Sequence, residues 1–302
     1  MKNIEIIERK GIGHPDTIAD NLSENLGKRL REEYLKVYKK ELHYNVDKTL
    51  VCAGEIKGDK FTSPVKIVFG GQYTKLKNIN SILEEITKET LKVEIKRGLR
   101  YKIYNFLNQG SVDLNNNFNL KKSNDTSFAV GHPETKNEMF VKKLGKFLDN
   151  LHKNKKNIGT DNKIMFIFDG KKEEIYIALA FLKDKKNYFK EKEMLENEIY
   201  KKFKKKVKIN TADTSTNQFI TKTGTSLEMG DSGATGRGNR RNGLITPQKP
   251  MTLEAYCGKN SLTHIGRIYQ DKAISLARKE NKNILLINKI GHDLKDFKVF
   301  KW

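Results

Sequence analysis

Between Gly230 and Asn260 the chain reads GDSGATGRGNRRNGLITPQKPMTLEAYCGKN, a run in which Gly230, Gly233, Gly236, Gly238 and Gly243 surround three arginines. Glycine has no Cβ and lets backbone amides come close to a ligand. Arginine is otherwise scarce: ten of the 59 basic residues are Arg, yet Arg237, Arg240 and Arg241 fall within five positions. A chain that uses Lys nearly everywhere and Arg here calls for a planar, multidentate donor, the kind that phosphate oxygens accept from. The plainer reading is a mobile basic surface loop. The flanking acids and the spacing of small residues argue against it.

The 302 residues allow one large domain or a few small ones with a substantial core. A net charge of +22 invites a nucleic-acid reading. The lysines, however, are spread over every predicted surface, and no basic stripe is interleaved with stacking aromatics. The densest cluster, Lys201 to Lys208, follows an acid-containing helix and reads as a solvated face, so no specific nucleic-acid partner is expected. No apolar run is long enough to span a bilayer, and the start, MKNIEIIERKG, has no signal-peptide core. Cys52 and Cys257 make no disulfide framework and have no metal-type spacing. The expectation is a cytoplasmic protein without a membrane partner.

Short strands alternate with longer helices. Strands are expected at Ile4–Glu8, Thr49–Ile56, Val65–Phe69, Tyr101–Leu107 and Ile284–Asn288. A hairpin is expected from Ile164–Phe168 and Glu174–Leu182 across Asp169-Gly170-Lys171, and an extended segment at Asn217–Thr223. From Asp16 onward Ile18, Leu22, Leu26, Leu30 and Tyr34 recur every fourth residue, an apolar helical stripe. Further helices are expected at Ile79–Ile95, Met139–Leu151, Lys190–Lys205 and His264–Arg278, with an Asn-rich loop at Gln109–Asn119. Strand pairs separated by helices fit an α+β class, with helices on one face of antiparallel or mixed sheets. Two short motifs carry candidate chemistry. His14 and Asp16, in Gly-His-Pro-Asp, directly precede the first long helix: Asp16 is either a helix N-cap or part of an anion site at that N-terminus. Asp161 and Lys163 precede an apolar strand and, two apart, share a face of an extended segment, where a surface ion pair explains them as well.

The glycine-rich run closely resembles the signature of the methionine adenosyltransferase (S-adenosylmethionine synthetase) family in its archaeal form. Three further segments match that family in order: KGIGHPDTIAD at Lys10–Asp20, NDTSFAVGH at Asn124–His132 and HIGRIY at His264–Tyr269. The resemblance implies three similar interleaved α/β subdomains (1–10 with 135–225, 11–105 with 226–267, 106–134 with 268–302), the third reduced because this chain is shorter than typical members. It implies a homodimer with shared active sites, ATP and L-methionine as substrates, Mg2+ and also K+ as cofactors. By the same resemblance His14, Lys163, Arg237 and Lys259 act on the polyphosphate, Asp16 holds magnesium, and Asp161 and Arg240 lie with the ATP set. Asp231 contacts adenosine and methionine, and Glu55 and Asp125 take the methionine ammonium from across the dimer interface. In the implied reaction the thioether sulfur attacks C5′ of ATP and releases triphosphate, which is hydrolysed to pyrophosphate and phosphate. A neutral thioether needs no general base, so the site should supply alignment and positive charge. Within the motifs Ser232 stands where an acid is frequent, Lys249 where Arg is, and Ser261 where Pro is. The alternatives are an enzyme of the same fold that takes a methionine analogue or only cleaves polyphosphate, and a non-catalytic basic protein that binds nucleic acid or phosphate.

Overall fold

The computed structural model describes residues 4–302 apart from 58–59, 97, 124–127 and 183–185. Its strands form three main sheets, each with its own apolar core. β1 (Glu5–Lys10) pairs antiparallel with β8 (Ile158–Phe168), and β8 with β9 (Glu173–Leu182); the short β10 (Lys208–Ile209) and β11 (Ile220–Thr221) join β9 in parallel. Helices α4 (Lys136–Asn154) and α5 (Tyr188–Phe203) accompany this sheet, and Leu144, Leu148, Leu195 and Ile199 enter the core with Ile164, Phe166 and Ile177 of its strands. The expected hairpin forms as read: Asp169 accepts from the amides of Lys171 and Lys172, and Gly170 adopts φ +93°, a region open to glycine.

The second sheet runs β12 (Gly233–Ala234), β2 (Tyr44–Cys52), β5 (Val65–Tyr73), β6 (Tyr101–Gln109), with β5 and β6 parallel. Against one face lie α1 (Pro15–Tyr38) and α2 (Ile79–Glu94). Ile18, Leu22, Leu26, Leu30 and Tyr34 of α1 are all fully buried, so the four-residue stripe in the sequence is the seam of this core. A small hairpin, β3 (Glu55–Lys57) with β4 (Lys60–Ser63), leaves the end of β2 after a break at Ala53-Gly54, where continuous strand was expected.

The third sheet is smaller. β7 (Phe128–Gly131), β13 (Ile284–Ile287) and β14 (Lys298–Lys301) pair antiparallel and are backed by α6 (Ile265–Glu280), whose Tyr269, Ala273 and Ala277 are buried. Further elements differ from expectation, the strands β7, β10 and β12 among them. The Asn-rich segment holds a helix, α3 (Val112–Leu120), rather than a loop, and β14 adds an unforeseen edge strand.

Candidate active site

The site is built where the first and second sheets meet. β1 ends at Lys10, whose register partner on β8 is Lys163, and the chain turns through Gly11–Gly13 into α1. A methyl group at Gly13 would collide with Thr160 and with the Asp161 amide, so only glycine lets the turn lie against β8. His14 is the N-cap of α1, with Pro15 in the first turn; its Nδ1 accepts from the Asp16 amide at 3.2 Å. Asp16 is therefore not the cap. Its carboxylate is turned to other partners: Oδ1 accepts from Ala234 N–H at 3.0 Å and Oδ2 lies 2.6 Å from Lys10 Nζ.

The glycine-rich run docks on this turn. A side chain at Gly233 would strike the Pro15 carbonyl, and one at Gly238 the Asp20 carboxyl. Asp20 Oδ1 accepts from Gly236 N–H at 2.8 Å, and burial raises the Asp20 carboxyl to about 7. The glycines thus admit neighbouring segments of the chain itself. Arg237 follows: its backbone N–H donates to Ala234, its carbonyl accepts from Lys10, and its side chain is exposed without an ion pair among the described residues.

Asp161 lies in the bulge of β8 between Ile158 and Asn162, and Lys163 follows it in regular register opposite Ala178. Asp161 is 3% exposed and accepts from Ser226 N–H at 2.8 Å; burial, with Asp231 adding repulsion, lifts it to about 7. Ser226 Oγ in turn bonds Asp231 at 2.9 Å. Lys163 pairs with Glu8 at 3.1 Å and keeps its head partly open to solvent. The His14 ring lies 4.0 Å from the Asp16 carboxylate and also feels the charges of Lys10, Asp231 and Lys163. Burial above all, and then Lys10, lower the His14 pKa to about 4. The ring is neutral at pH 7 and, with Nδ1 taken by the Asp16 amide, carries its proton on Nε2. Any help it gives a polyphosphate is a hydrogen bond rather than an imidazolium charge.

The remaining candidates lie elsewhere. Glu55 is exposed at the head of β3; Gly54 N–H, just before it, bonds the Leu227 carbonyl at 2.9 Å, so it borders the Ser226 turn within the same protomer. Arg240 faces a different cleft, lined also by His132, Thr246, Met251 and Gln270, and its Nη1 meets the Gly236 carbonyl at 3.2 Å rather than an acid. Lys259 is 1% exposed at the far end of β2, 2.9 Å from Asp47 and ion-paired with Glu254. Although burial opposes its ionisation, Lys259 and Lys48 hold the Asp47 carboxyl below its usual range. In this structure Lys259 does not reach the charges around His14. Asp125 lies outside the described residues. Of the groups that build the site, Lys10, Asp20 and Asn239 sat inside the quoted motifs without a role, and Ser226 had no sequence signal at all.

Comparison with known proteins gives a single answer. The family model for S-adenosylmethionine synthetase matches residues 1–296. The S-adenosylmethionine synthase of Methanoregula boonei is 38% identical over 94% of this chain and 78% of its own length. That of Sulfurisphaera tokodaii is 37% identical over 97% of this chain and 84% of its own. A solved structure of an unusual S-adenosylmethionine synthetase from Campylobacter jejuni shares the fold, with a TM-score of 0.65 at 17% identity, covering 95% of this chain and 78% of that one. The chain belongs to the S-adenosylmethionine synthetase family. It is a methionine adenosyltransferase, an enzyme that forms S-adenosylmethionine.

Proposed function

We propose that the charges around His14 receive the polyphosphate of ATP while L-methionine attacks its C5′ carbon, and that the released triphosphate is cleaved there to pyrophosphate and phosphate. The observation that carries this reading is the gathering of Lys10, Asp16 and Lys163 about the His14 turn, with Asp231 linked through Ser226 to Asp161 of β8, beside the exposed Arg237. Lys163 and Arg237 supply positive charge to the leaving oxygens, and the His14 Nε2–H donates to them. Asp231, tied to Ser226 and through it to Asp161, lies next to this set and orients the nucleoside or the amino acid. Lys259, Arg240, Glu55 and Asp125 keep the roles the family resemblance assigns as proposals only; for Lys259 and Arg240 a rearrangement on binding is required.

Asp16 fits magnesium. Among the described residues no three His, Cys, Asp or Glu side chains form a metal cage, and magnesium characteristically takes one or two carboxylates together with phosphate oxygens and water. Asp16 alone supplies that number. When bound, the cation neutralises charge on the polyphosphate. Potassium is the second proposed cation, with no ligands assigned.

A homodimer is supported by an uncovered sheet face. On the second sheet, opposite α1, the partners Leu50, Val68 and Tyr104 run side by side with Phe106 next to them; Leu50 is 47% and Phe106 62% exposed. Such an apolar face on a monomer marks an interaction surface. A cytoplasmic location is supported by two unpaired cysteines. Among the described residues no helix is long and apolar enough to cross a membrane.

Incubation with ATP, L-methionine and Mg2+, followed by mass spectrometry, tests the reading. S-adenosylmethionine with pyrophosphate and phosphate is expected. Cleavage of tripolyphosphate without adenosyl transfer, or transfer only to a methionine analogue, would replace it with a narrower activity.

A further inference from the structure

Lys10 closes β1 and is held unusually firmly. Asn239 Oδ1 accepts from its amide at 2.9 Å, and Asn239 Nδ2 donates to its carbonyl at 2.8 Å, as a neighbouring strand would. Its side chain, 13% exposed, crosses from the first sheet to the start of α1. There Nζ sits 2.6 Å from Asp16 Oδ2 and donates to the Arg237 carbonyl at 2.7 Å. The other oxygen of Asp16 is engaged by Ala234 N–H. The carboxylate is therefore oriented before any ligand arrives, and an ammonium already stands against the oxygen a hard cation would use.

We infer that Lys10 is a positioning residue that serves as a resident counter-ion for Asp16. It keeps the carboxylate in place, makes a bare divalent cation compete with an ammonium, and yields Oδ2 when the cation arrives with a polyphosphate. A lysine suits this exchange: its point charge sits on a flexible stem with three donors, so one donor stays on the Arg237 carbonyl while another turns to a phosphate oxygen. The displaced charge then finds a new partner only if phosphate is present. Lys10 thus ties cation binding to nucleotide binding and discriminates against the free ion. The inference rests on the assignment of Asp16 to the cation.

Mn2+ titration followed by electron paramagnetic resonance, with and without tripolyphosphate, tests it on wild type, Lys10→Met, Lys10→Gln and Asp16→Asn proteins. In Lys10→Met, bare Mn2+ should bind about tenfold tighter, because a competing charge is gone, and Mn2+ with tripolyphosphate about tenfold weaker. That opposite movement is what a purely structural lysine does not produce. If Lys10→Met does not fold, Lys10→Gln, which keeps a donor for Asp16 and for the Arg237 carbonyl without the charge, should show the same inversion. Folded Lys10 variants whose bare Mn2+ affinity is unchanged or weaker overturn the inference. If Asp16→Asn leaves Mn2+ binding at the wild-type level, the assignment of Asp16 itself fails, a result separable from the first.

Discussion

Asp161 illustrates how a single buried carboxyl links the site to stability. Its ordinary value of 3.8 is raised to about 7 in the fold, first by burial and then by Asp231. The folded chain therefore binds this proton more tightly than the unfolded chain does. Its contribution to stability is fullest below about pH 4, declines as pH rises towards 7, and is lost above that. Asp161→Asn should lose less melting temperature than wild type between pH 4 and pH 8, the difference being read by calorimetry; Asp20, also raised to about 7, keeps its share of the slope in both. Arg237 is the opposite case, exposed and without an ion pair among the described residues. Arg237→Lys keeps the charge and loses the planar fork, so kcat/KM should fall by tens to hundreds-fold, about 2–4 kcal/mol of transition-state stabilisation, with the melting temperature unchanged. Wild-type kinetics would remove Arg237 from the site. For Lys259 stability should respond first. Lys259→Ala removes the buried ammonium from between Asp47 and Glu254 and leaves Asp47 with Lys48, and a cost of about 3 kcal/mol in denaturant unfolding is expected. A loss of activity at full stability would instead support the phosphate role.

At the scale of elements, α1 is the structural centre of the second core and the support of His14 and Asp16. Leu26→Ala, at a fully buried position of its stripe, should cost about 2–5 kcal/mol, measured by urea unfolding. This helix could be read from the sequence because its packing is one-sided and periodic, and the hairpin around Gly170 because its turn chemistry is local. Where neither holds, the sequence is silent. The helix Val112–Leu120 leaves Val112 and Leu120 largely in solvent, so its asparagines carry no apolar stripe to mark it. The strand Lys298–Lys301 is exposed at all four positions and exists through its pairing with Ile284–Ile287. At the site, His14, Asp16, Asp161, Lys163, Asp231 and Arg237 were visible as charged residues beside glycines or at strand and helix ends. Their mutual arrangement was not. Ser226 joins Asp161 to Asp231 through a turn with no distinctive composition, and the burial that keeps His14 neutral exists only in the folded chain.

For the whole molecule, the uncovered face around Leu50, Tyr104 and Phe106 leads to the expectation of a dimer whose activity falls on dilution below its dissociation constant. Light scattering and dilution assays measure both. Mixing and refolding inactive Asp125→Asn protein with inactive Lys163→Ala protein should restore part of the activity if each site draws on two protomers. An active monomer would end that view. The order of the segments along the chain has a separate consequence. β1 finds its partner β8 only after residue 158, and the turn after β1 is closed by Thr225, whose hydroxyl donates to the Gly13 carbonyl, and by the run from Gly233 to Asn239. On a ribosome the first strand and the loop of His14 must wait, unpaired, until most of the chain has been synthesised, and pairings this distant in sequence form slowly. The nascent chain therefore exposes its N-terminal strand edge for most of its synthesis. The proposed nucleotide site therefore assembles late, so that ligand binding reports a chain translated beyond its glycine-rich run.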